Sequence, residues 1–133
     1  MIKNLTDRDV RIIHLPSMTV ASIHIANGEG SEQKSHEILD KFIKDTNLKN
    51  IYPSARCFGF NNPDGVADND PSHGYERWIS IPDDMDVLDP FVKKHLSGGI
   101  YAAHMISMGA WDDGWLLLHK WVSDSEKYDF RWN

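Results

Sequence analysis

At 133 residues the chain has the length of one domain, enough for a core but not for a second folding unit of ordinary size. Its 41% hydrophobic and 26% charged residues exclude extended disorder. The net charge of -6 opposes general nucleic-acid binding, and the basic candidates, Lys93-Lys94 and Arg8 with Arg11, read as solvated surface charge.

Thr19 to Ala26 is β-branched and runs into the Asn27-Gly28 turn signal, so it predicts a strand. A helix follows from Glu32 to Asn47, with Ile38, Leu39, Phe42 and Ile43 at three- and four-residue spacings, Ser31 as its cap and Asn47 as its stop. Arg56 to Phe60 and Tyr75 to Ile81 are the next two strands, the second stopped by Pro82, with a long polar loop between them from Asn61 to Gly74. Phe91 to His95 is expected to form a short helical turn, and Ile100 to Met108 another strand. The last helix begins near Asp112 or Asp113, with Trp111, Gly114, Trp115, Leu118, Trp121 and Val122 along one face. The organisation is one strand-helix-strand-strand unit followed by the first half of another, which is expected to lack its last two strands.

Several chemistries lack their motif. Gly28-Glu29-Gly30 is not followed by the rest of a nucleotide-binding loop. The seven His are dispersed and there is no Cys pair, so no metal site is expected, and Asp64, Asp68 and Asp70 lack the glycine and glutamate of a cation-binding loop. No cofactor is predicted. The single Cys57 reads as a buried structural thiol in a reducing compartment. No apolar run approaches membrane-spanning length and no secretory leader is evident, which gives the cytoplasm as the expected location.

The positive signal is Tyr75-Glu76-Arg77-Trp78. Alternation puts Glu76, Trp78 and Ser80 on one face of the strand and Tyr75, Arg77, Ile79 and Ile81 on the other. On an exposed face Glu76 and Trp78 are ordinary surface residues. In a cleft, the apolar neighbour is expected to raise the carboxyl pKa, making Glu76 a charge detector or a general acid/base. Phe58 and Phe60 share a face of the neighbouring strand and either complete an aromatic wall or belong to the core.

VASIHIANGEG, ARCFGFNNP, YERWISIP and SGGIYAAHMISMGAWDDGWLLLHKWV, in that order and spacing, resemble the GyrI-like group, related to the effector-binding domains of AraC-type and BmrR-type regulators. The resemblance runs from about Val10 onward and implies an α+β fold of two side-by-side strand-helix-strand-strand units. Their antiparallel sheet carries two helices on one face and a ligand cleft on the other. By the same resemblance Glu76 and Trp78 face the cleft and Tyr101 follows the paired glycines. Trp111 and His104 are weaker pocket candidates, better read as a helix-capping aromatic and a satisfied core histidine. The chain is expected to be a stand-alone member, without the regulators' DNA-binding region and without the strands that carry the family's second carboxylate.

The function so implied is capture of a flat hydrophobic small molecule, a drug or toxin, with a preference for cations. The resemblance offers two alternatives. One is a bacterial detoxifying hydrolase that opens the ring of cyclopropapyrroloindole antibiotics with Glu76 as the catalytic carboxylate. The other is a protein partner of the gyrase-inhibitor type.

Overall fold

The computed structural model describes residues 4–26, 28, 30–63, 73–107 and 111–130, leaving aside the side chains at 111 and 112. In chain order the elements are β1 (Arg11–Leu15), β2 (Met18–Ile25), α1 (Ser31–Asp45), α2 (Leu48–Ile51), β3 (Cys57–Asn61), β4 (Tyr75–Ile81), β5 (Val92–Leu96), β6 (Gly99–Ala103) and α3 (Trp111–Asp124). The fold is mixed α+β with antiparallel strands, as expected. It divides into two compact units, Ser17–Ser97 and the combination of Met1–Pro16 with Gly98–Asn133.

The larger unit is built on the sheet β3-β4-β2-β5. Ala21 lies opposite Ile79, and with Ile23 and Ile81 they share one face because side chains alternate along each strand. Leu39, Leu48 and Phe91 join them in a buried core. α1 covers this face: Leu39 is buried, and Ile38, Phe42 and Ile43 pack against the cluster, the stripe their spacing predicts. Phe42 meets Phe91 with ring centroids 4.5 Å apart. α1 starts one residue earlier than expected, because Gly30 takes the left-handed N-cap position. Ser31 is therefore not the cap; it is buried in the first turn, where its hydroxyl donates to the His73 carbonyl at 2.7 Å. At the other end the Thr46 hydroxyl donates to the Phe42 carbonyl at 2.8 Å, and Asn47 adopts a φ of 55°, which stops the helix where predicted.

Phe91 to His95 corrects the expectation of a helical turn, because Val92–Leu96 is a strand. It pairs with β2 from Met18 opposite Leu96 to Ser22 opposite Val92. One helical turn has little stability of its own, whereas the ladder satisfies backbone groups that the edge of β2 would otherwise leave unpaired. The Asn61 to Gly74 loop connects a hairpin as expected, since β3 pairs antiparallel with β4; Asp64, Asp68 and Asp70 lie outside the described residues.

In the smaller unit β1, which was not anticipated as a strand, pairs with β6 from Arg11 opposite Ala103 to Leu15 opposite Gly99. β6 is shorter than the predicted 100–108. In α3, Gly114 and Val122 are buried and Leu118 and Trp121 half-buried, as the stripe implies, but Trp115 is 71% exposed. Gly114 is required by close approach, because a Cβ there would sit 2.5 Å from the Ile106 side chain. Among the described residues no helix is long and apolar enough to cross a membrane.

Candidate functional site

β4 separates two chemistries by alternation. On the α1 face, Arg77 donates from Nε to the Ser35 hydroxyl at 2.9 Å and from Nη2 to the Glu32 carbonyl at 3.2 Å. Its guanidinium also lies over the Tyr75 ring, 4.8 Å from the centroid. Glu76 and Trp78 occupy the opposite face, where register sets Glu76 between Phe60 and His24, and Trp78 between Phe58 and Ser22. The rings make an edge-to-face cluster, with Trp78 centred 4.9 Å from Phe60 and 6.5 Å from Phe58.

Glu76 is 2% exposed, and among the described residues four donors converge on its carboxylate. Oε2 accepts from the Ser22 hydroxyl at 2.7 Å, the Trp78 indole N–H at 2.5 Å and the Lys94 ammonium at 2.7 Å; Oε1 accepts from the Asn62 amide at 2.9 Å. Asn62 is itself held: its backbone N–H donates to the Gly74 carbonyl at 2.9 Å, and its own carbonyl is 2.7 Å from His24 Nε2. Burial pushes the Glu76 carboxyl up, but the bonds from Lys94, Ser22, Trp78 and Asn62 outweigh it and hold the group at about 2. This reverses the expected direction. Trp78 is not only an apolar neighbour, since its N–H is aimed at the charge. Trp78→Phe keeps a ring and deletes that donor. It is expected to move the Glu76 titration, followed by carboxyl ¹³C NMR, back toward the ordinary carboxylate range and to lower stability by about 1.5 kcal/mol. An unchanged titration would show that the indole contributes packing alone.

Four of the predicted site residues, Glu76, Trp78, Phe58 and Phe60, therefore share one face of one sheet. Tyr101 belongs to the smaller unit, half-exposed on β6 opposite Ile13. His104 is also in that unit, half-buried, with Nε2 bonded to the Gly114 carbonyl at 2.9 Å, the satisfied histidine of the alternative reading. The Trp111 side chain lies outside the described residues.

Ser22, Asn62 and Lys94 were missed as site residues. Lys94 corrects the reading of Lys93-Lys94 as solvated charge: on a strand the two side chains diverge. Lys93 donates to the Asp83 carbonyl at 2.7 Å, and Lys94 reaches Glu76. Alternation along Val20, Ser22 and His24 was the available signal for Ser22. Cys57, expected to be buried, is exposed on β3, an edge strand of its sheet. Desolvation still pushes its thiol pKa up, which leaves it unactivated.

Two open clefts among the described residues lie away from this carboxylate. The smaller unit holds one of about 650 Å³ bordered by Val10, Ile12, Leu117, Trp121 and Tyr128. The larger unit holds one of about 370 Å³ beside His36, His73 and Arg77. Neither includes a predicted site residue, and it is the chemistry of the Glu76 face that marks it as the candidate site.

Residues 11–133 match the model of a family described as Cass2, integron-associated effector binding protein. No curated protein matches the chain.

Proposed function

From the premise that the chain belongs to the Cass2 family of integron-associated effector binding proteins, we propose that it captures a flat, apolar organic cation on the Glu76 face of the larger unit. The observation that carries this reading is a buried carboxylate, ionised through the whole physiological range, beside an aromatic cluster. Trp78, Phe58 and Phe60 supply apolar area and π-faces, while Glu76 supplies the charge. A cation against an aromatic face gains about 2 kcal/mol when both are desolvated. A neutral ligand of the same shape gains the apolar contact without the charge.

The same carboxylate is better suited to recognition than to proton transfer. With a pKa of about 2 it is a weak base at neutral pH and carries no proton to donate. Recognition of charge asks only that the group stay ionised.

A pair of dyes of the same shape, one permanently cationic and one neutral, tests the reading by fluorescence titration. Glu76→Gln is expected to weaken the cation at least 10-fold, about 1.4 kcal/mol, and the neutral dye by no more than about 2-fold. Equal losses for the two dyes would remove Glu76 from charge recognition.

A further inference from the structure

We propose that Lys94 is a built-in stand-in for the cationic ligand, occupying the Glu76 carboxylate in the empty protein and leaving it when the ligand binds. The inference rests on the cation reading above and adds a specificity-determining residue to it. A carboxylate offers about four acceptor positions. Among the described residues Glu76 has four donors, three of them on Oε2, and the residue is 2% exposed, so an external cation that approaches Oε2 from the side of Lys94 must take its place.

The four are not equally replaceable. Ser22 is buried on the inner strand β2. The Trp78 indole is wedged against Phe60, and Asn62 is tied to Gly74 and His24 through its backbone. Lys94 alone among them carries a charge. It extends from the edge strand β5, and its side chain is 41% exposed where that of Glu76 is 3% exposed. A lysine ammonium on a four-carbon stem swings into water and regains its hydration, a route closed to a short hydroxyl on an inner strand.

Binding then becomes an exchange of one cation for another. A permanently cationic ligand has its affinity reduced by the fraction of time Lys94 leaves the carboxylate free, about tenfold if that fraction is a tenth. A neutral ligand cannot replace the ammonium and leaves Lys94 in place.

The test uses the same two dyes with the wild type and Lys94→Met, which keeps the length of the stem and removes the charge. Lys94→Met is expected to bind the cationic dye about tenfold more tightly and the neutral dye within about twofold of the wild type. Unchanged or weaker binding of the cation by Lys94→Met would overturn the exchange while leaving the cation reading standing. If the wild type and Lys94→Met both failed to bind the cation, or if Glu76→Gln lost the two dyes equally, the cation reading itself would fall and the exchange with it. A second measurement avoids the variant. In wild type labelled with ¹⁵N-lysine, the Lys94 ammonium signal is expected to move to the position of a free lysine when the cationic dye saturates the protein, and to stay in place with the neutral dye. A signal unmoved at saturation overturns the proposal.

Discussion

Glu76→Ala is expected to lower the stability of the protein by about 3–5 kcal/mol at neutral pH, and the difference from wild type is expected to narrow as the pH falls toward 2. The first part follows from what the carboxylate holds together: removing one member of a buried, hydrogen-bonded charge cluster leaves the remaining donors without an acceptor. The second follows from linkage. The folded protein holds Glu76 at about 2, against an ordinary value of 4.5, so its contribution is fully present above about pH 5 and is lost as protonation sets in below that. A shift of this size corresponds to on the order of 3 kcal/mol. Urea melts of both proteins at several pH values between 7 and 2.5 measure the gap. A gap as wide at pH 2.5 as at pH 7 would mean that the ionised form is not what the four donors stabilise.

Gly74→Ala is expected to cost about 3 kcal/mol or more, and to loosen Glu76 without touching it. A Cβ at position 74 would lie 2.1 Å from the Asn62 carbonyl oxygen and 2.4 Å from that of Ala26. Both are backbone atoms, so the hairpin itself must shift. The Gly74 N–H donates to the Pro63 carbonyl at 3.0 Å, and the Asn62 N–H donates to the Gly74 carbonyl at 2.9 Å. A shift there moves Asn62, whose amide is, among the described residues, the one donor on Glu76 Oε1. Gly59→Ala is the comparison, because its Cβ would meet the Tyr75 ring hydroxyl at 2.6 Å, the end of a side chain and not backbone. Thermal melts are expected to rank Gly74→Ala well below Gly59→Ala. The reverse order would show that the base of the hairpin yields more readily than the Tyr75 ring.

The central hairpin and α1 were legible because their signals are local. The three- and four-residue spacing of Ile38, Leu39, Phe42 and Ile43 specifies a helix face without reference to any partner, and alternation in YERWISI places Glu76 and Trp78 together whatever lies opposite. Lys94 and Ser22 were not legible as the carboxylate's partners, because they arrive from other strands. Lys94 is 18 residues from Glu76 and Ser22 is 54 away, and only the register of β2, β4 and β5 brings them together. Its pKa direction was misread for the same reason: the apolar bulk of Trp78 is visible in the sequence, while the aim of its N–H is not. β5 carries no strand signal of its own, because five residues of mixed propensity are decided by the strand beside them. Trp115 shows the converse limit. The period of α3 assigns it to the apolar stripe, but a stripe drawn from spacing alone is wider than the surface that Gly114, Leu118 and Val122 cover.

The alternation of β4 sets opposite charges on successive residues, Glu76 toward the aromatic face and Arg77 toward the start of α1. The strand is electrically neutral along its length and polarised through its thickness, and each side carries its own counter-charge: Lys94 on Glu76, and Glu32 3.9 Å from Arg77. A cation that takes the place of Lys94 on Glu76 therefore leaves the balance across the sheet unchanged.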